Sequence, residues 1–162
     1  MKKILFFGFI ALTVLVLSCQ QEPANKNEKV DTAEISAIEN LQLLQPAEGV
    51  ALLKTNCFAC HNPQSNSHED MLAPPLAGIK YKYQQHYPER TNFIAKMSDF
   101  VHTPTKENAI MKGPVRRFGL MPPVPLQLEQ IRQISAFIYD NKLEIPDWFS
   151  DHFEEQHGKE WK

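Results

Sequence analysis

From Pro46 onward the apolar positions recur at helical spacing. Val50, Leu53 and Cys57 fall at i, i+3 and i+7, one stripe of a 3.6-residue repeat, and predict a helix from Pro46 to about Asn56. Pro46 suits the first helical position, where its missing N–H costs nothing, and Glu48 favours the positive end of the helix dipole. Gly49 costs about 1 kcal/mol against alanine inside a helix, so it marks a place where another backbone is expected to come close. Phe93, Ile94, Met97, Phe100 and Val101 predict a second helix over about Pro88–Val101, stopped by Thr103-Pro104. Leu128, Ile131, Ile134, Phe137 and Ile138 predict a third over Leu126–Asn141, with Glu129 in its first turn and Pro146 limiting continuation. No alternating run longer than a few residues suggests a strand, so the expected fold is all-α.

The segments outside this region read differently. Lys2-Lys3, the apolar run Ile4–Leu17 and the closing Ser18-Cys19 have the order of a signal peptide. The run is short for a membrane span of about 20 residues. Its end resembles the lipobox of bacterial lipoproteins, which implies cleavage before Cys19, lipidation of that thiol and a place in the bacterial cell envelope. Which membrane of that envelope holds the lipid stays open. From Gln20 to Gln45 the chain is polar and poor in aromatics, and reads as a tether reaching roughly 25–30 Å as a flexible coil. Ile35, Ile38, Leu41, Leu43 and Leu44 are the exception, a short amphipathic pattern that could dock on the domain. The expected organisation is therefore 1–18 signal peptide, 19–45 lipidated N-terminus and tether, 46–145 domain and 146–162 extension. In that extension Trp148, Phe149 and Phe153 are expected to pack back onto the domain, with partner docking as the alternative.

Charge narrows the partners. The 162-residue chain carries −2, and −4 once the two leader lysines are set aside, a balance that argues against nucleic acid. What remains after the leader suits one domain, not two.

The candidate chemistry lies at Cys57-Phe58-Ala59-Cys60-His61. C-x-x-C-H is the spacing at which two thiols add to haem vinyl groups while the adjacent imidazole reaches the iron. A thioredoxin-type dithiol would want a βαβ setting, and a structural zinc site a second Cys/His pair. No strand-like run precedes Cys57, and the third cysteine, Cys19, ends the apolar leader. One lipidated cysteine and two on a single haem c account for all three.

With this motif followed by Ala73-Pro74-Pro75-Leu76-Ala77-Gly78 and by Gly119-Leu120-Met121-Pro122-Pro123, the region 46–145 resembles class I cytochromes c. The resemblance implies a small helical domain wrapped around one covalently attached haem. It implies a crossing of the first and last helices through Gly49 and Phe137, with Leu53 and Ile134 beside them. It implies that the Pro74 carbonyl accepts a hydrogen bond from His61, that Leu76 packs on the haem face, and that His61 and Met121 are the axial ligands. Met111 is the chief rival to Met121; Met71 and Met97 read as core fillers. His68, His86, His102, His152 and His157 are ligands only in principle. Tyr81, Tyr83, Arg90, Arg116 and Arg117 are the candidates to reach a propionate.

A haem with both axial positions filled has no site for substrate. The expected function is one-electron transfer between transient redox partners of the respiratory or another envelope chain, by a protein held at the membrane through its N-terminal lipid, not an enzyme. The alternatives are a haem enzyme or gas-binding domain in which the sixth ligand is labile, and a sensor whose ligands switch with redox state.

Overall fold

The computed structural model describes residues 30–161. Among them are seven helices and no strand: α1 (Thr32–Glu39), α2 (Pro46–Asn56), α3 (Leu76–His86), α4 (Arg90–His102), α5 (Lys112–Phe118), α6 (Leu128–Asp140) and α7 (Phe149–His157). The expected signal peptide and Cys19 lie outside the described residues. No described helix is long and apolar enough to cross a membrane.

The core is centred on the packing of α4 against α6. Phe93, Ile94 and Met97 of α4 and Ile131, Ile134, Phe137 and Ile138 of α6 are buried there. Ser98 and Ser135 are buried among them and bond to each other, Oγ to Oγ, at 3.1 Å. Two small side chains let the helices approach, and the mutual bond keeps their hydroxyls from being orphaned in an apolar core.

α2 enters through a reciprocal N-terminal turn in which the Gln45 N–H donates to Glu48 Oε2 at 2.9 Å, with Pro46 in first position. It then crosses α6 at Gly49. A Cβ built on that residue would lie 2.2 Å from Cδ2 and 2.4 Å from Cε2 of Phe137. Only glycine lets the phenyl ring lie against the backbone of α2, as the apparent cost of a mid-helix glycine suggests.

Residues 30–45 are ordered on the domain, as the amphipathic pattern within the tether allows. Asp31 caps α1 by accepting from the Glu34 N–H at 2.8 Å, and Val30, Ile38 and Leu41 are buried in the main core. Arg132 of α6 reaches Glu34 at 3.2 Å, and Gln133 donates to the Gln42 carbonyl at 3.2 Å. The physical reason is the amphipathic pattern itself: Ile38, 1 % exposed, outweighs the polar composition around it.

The C-terminal extension folds back. Phe149 and Phe153 of α7 form a second small core with Ala77, against which Tyr81, Trp148 and Trp161 pack. Trp148 Nε1 donates to the Ser65 carbonyl at 2.9 Å, which fastens the extension to the loop after the C-x-x-C-H motif.

α3, α5 and α7 are the elements that periodicity did not announce. α3 is covered on both sides, with Leu76, Ile79 and Tyr83 on the main core and Ala77 and Tyr81 on the second, so it carries no single apolar stripe. α5 is short, has no fully buried residue and contains Gly113 and Pro114.

Candidate functional site

α2 ends at Asn56, and Cys57 caps it with its N–H on the Leu53 carbonyl at 2.8 Å. The chain then closes a turn in which the His61 N–H donates to the Cys57 carbonyl at 2.8 Å. This turn gathers Cys57, Cys60 and His61 on one wall of an apolar cavity. α3 supplies Leu76, Ile79 and Tyr83 to the cavity, α4 Met97, Phe100 and Val101, and α6 Ile131, Ile134, Ser135 and Ile138. Val115 and Phe118 of α5, with Leu120, Met121 and Pro122 after it, close another side.

The imidazole of His61 is held in one tautomer. Its Nδ1 lies 2.7 Å from the Pro74 carbonyl oxygen. A carbonyl only accepts, so Nδ1 carries the proton and donates, and Nε2 keeps its lone pair. Burial lowers the pKa of His61 from its ordinary value, while the bond to Pro74 acts in the other direction. The outcome is a neutral, oriented nitrogen donor at the cavity wall, the arrangement that a metal-ligating histidine needs.

Burial pushes the Cys57 thiol up to about 11. A redox dithiol depends on a depressed thiolate pKa, so this environment counts against the thioredoxin-like reading. Among the described residues no group of three or more His, Cys, Asp or Glu side chains is placed to hold a metal ion, which removes the zinc alternative there. An apolar slot with two thiols at one edge and a neutral imidazole in its wall fits a haem whose iron is reached from the protein and whose vinyl groups meet sulfur.

Three thioethers, Met97, Met111 and Met121, line the cavity, and Met71 does not. Met97 lies within the α4 wall, whereas Met111 caps α5 and Met121 follows it. Gly119, at φ +84°, turns the chain out of α5 in a conformation open to glycine, and Pro122-Pro123 restrict the chain beyond Met121. None of His68, His86, His102, His152 and His157 lines the cavity.

Of the five candidates for a propionate, only Tyr83 lines it. Burial above all, then Tyr87 and Asp99, raises the pKa of its phenol far above the usual range, so it remains a donor. Arg90 is bound bidentately to Asp140 at 2.9 and 2.7 Å. Arg117 donates to His68 Nε2 at 2.7 Å and to the His68 carbonyl at 2.9 Å. Tyr81 belongs to the aromatic group around α7, and Arg116 is exposed. Sequence reasoning missed the α5 wall, Val115 and Phe118; their three-residue spacing is a signal too short to stand alone.

This is an all-α domain that presents a C-x-x-C-H motif to an apolar cavity walled by its helices. The family model for cytochrome c matches residues 46–142, more than half of the chain, and the chain belongs to that family. No curated protein and no solved structure matches it. Its cofactor is the family's covalently attached haem c, and its chemistry is haem-based electron transfer. Every residue lining the cavity falls within the matched segment.

Proposed function

We propose that the protein is a lipid-tethered monohaem cytochrome of a bacterial envelope, held by Cys19 and passing single electrons between transient protein partners. Cys57 and Cys60 would hold the haem by thioethers, and His61 and Met121 would ligate its iron. The observation that carries the reading is the 2.7 Å bond from His61 Nδ1 to the Pro74 carbonyl, which leaves Nε2 as the coordinating atom. When bound, the haem supplies a one-electron ferric/ferrous couple.

The chain's own residues shape that couple. A methionine thioether is neutral and soft, so Met121 favours the ferrous form and raises the potential relative to a second imidazole. The apolar walls from α4 and α6 keep water out and favour the state of lower charge. Leu76 lines the cavity, where it would pack against the haem. Rigid packing holds both ligands in place while the oxidation state changes, and that constancy suits a carrier rather than a catalyst.

Absorption spectra of the haem-loaded protein test the assignment. Met121→Ala is expected to abolish the ferric sulfur-to-iron charge-transfer band and to open the ferrous form to carbon monoxide, whereas Met111→Ala leaves both unchanged. The reverse pattern would give the ligand role to Met111. Carbon monoxide binding by the unaltered protein would put a labile sixth site, and the enzyme or gas-binding reading, ahead. Cys19→Ser is expected to move the protein from the membrane to the soluble fraction.

A further inference from the structure

α3 separates two pockets. Leu76, Ile79 and Tyr83 wall the haem cavity, whereas Ala77, Lys80, Tyr81 and Gln84 line a second concavity. Phe153, Lys159, Glu160 and Trp161 complete it from the C-terminal extension. Those four residues lie beyond the segment matched by the cytochrome c family, so this pocket is an addition to the domain.

Its charge is opposite to that of the whole chain. Lys80, Lys142 and Lys159 line it against the single carboxylate of Glu160, in a protein of formal charge −2. Among the described residues none of these ammonium groups has a carboxylate within ion-pair distance. Lys80 Nζ donates to the Asn141 carbonyl at 2.8 Å, which fixes the group and leaves two of its three N–H donors for a ligand. Burial lowers the pKa of Lys80, opposed by Asp140, which is itself engaged by Arg90. Three cations against one carboxylate leave a net positive patch that an anionic ligand would neutralise.

The pocket also has a flat apolar side. Tyr81 and Phe153 meet edge to face at 4.9 Å, Phe153 and Trp161 at 4.8 Å, and Tyr81 and Trp161 at 6.0 Å. Lys159 Nζ sits 5.0 Å from the centre of the Tyr81 ring, a cation–π contact that draws its charge to the aromatic wall. The indole N–H of Trp161 makes no hydrogen bond among the described residues.

We propose that this pocket binds a small organic anion with a flat apolar body, of the aromatic carboxylate class, with the carboxylate on the lysines and the body against Tyr81 and Trp161. The inference is independent of the electron-transfer reading, because no residue of the pocket lines the haem cavity.

The test uses the reduced, haem-loaded chain labelled with nitrogen-15. The protein has two tryptophans and hence two indole signals, told apart by Trp148→Phe. Trp148 is bonded to Ser65 and does not line the pocket, so it serves as the internal control. 2-Naphthoate is expected to shift the Trp161 signal saturably and leave that of Trp148 in place. Acetate and inorganic phosphate should bind at least about tenfold more weakly, and Lys142→Gln with Lys159→Gln should weaken 2-naphthoate by about tenfold or more. Lys54→Gln, on the exposed end of α2, should leave binding unchanged. Added sodium chloride should weaken it in the parent, a readout that needs no variant. The proposal is overturned by the absence of a saturable Trp161 shift, by equal shifts of both indoles, by phosphate binding as tightly as 2-naphthoate, or by salt-independent binding.

Discussion

Replacing Gly49 by alanine sets two effects of known size against each other. Propensity alone predicts a gain of about 1 kcal/mol, because alanine is the better helix former. The structure predicts a loss. The new methyl would lie 2.2, 2.4 and 2.5 Å from three atoms of the Phe137 ring, where ordinary carbon contacts sit near 3.5–4.0 Å. Restoring contact needs a displacement of about 1 Å or more, and the ring has little room, since Phe137 is buried beside Ile134 and Ile138. α2 and α6 must part, which opens space around Leu53. Overpacking of this kind costs typically 1–3 kcal/mol and sometimes more, and contacts this short put it at the upper end, so against the propensity gain of about 1 kcal/mol the net expectation for Gly49→Ala is a destabilisation of about 2 kcal/mol. Denaturant unfolding of the haem-loaded protein measures it directly. Adding Phe137→Leu should make the alanine cheaper than it is in the parent, a coupling that a double-mutant cycle isolates. Unchanged or increased stability of Gly49→Ala would refute the close-crossing argument.

Phe153→Ala should cost about 3 kcal/mol, since a buried ring is lost from the second core, while the haem spectrum stays unchanged because Phe153 does not line the haem cavity. Denaturation and absorption separate the two, and a loss below about 1 kcal/mol would mean that α7 adds little to the fold. His68 is held below its ordinary pKa by burial, then by Arg117 and His152, with Glu69 opposing. The unfolded chain therefore takes up this proton first, and stability should fall as pH drops through about 6.5 toward the lower folded value, and be flat above. Thermal melts from pH 7.5 to 5 should show a smaller decline in His68→Gln, and an identical decline would remove His68 as the cause. The Arg90–Asp140 pair is bidentate but part-exposed, so a double-mutant cycle should give about 0.5–1 kcal/mol.

What could be read without coordinates follows a physical line. α2, α4 and α6 each bury one face in one core, and a one-sided helix writes its period into the sequence. Their observed ends fall within about two residues of the expected ones, as fraying termini allow. α3 was opaque because it is buried on both sides: Tyr81 and Tyr83 look alike in sequence and face different cores. α1 was legible as a pattern yet outweighed by composition, and the tether was drawn across residues that form core. At the site, the motif supplied Cys57, Cys60 and His61 because covalent attachment demands fixed spacing. The bond from His61 to Pro74 joins residues thirteen apart and was available only through family resemblance. The choice between Met111 and Met121 has no local signature, and both sulfurs line the cavity.

The two segments outside the family match pack around the haem-bearing domain without entering its cavity. α1 packs on α4, and α7 packs on α3 through the second core, yet neither contributes a residue to the haem cavity. They thicken the walls and leave the mouth alone. Leu72, Leu120 and Cys60 line that cavity, where a bound haem would cover part of their surface.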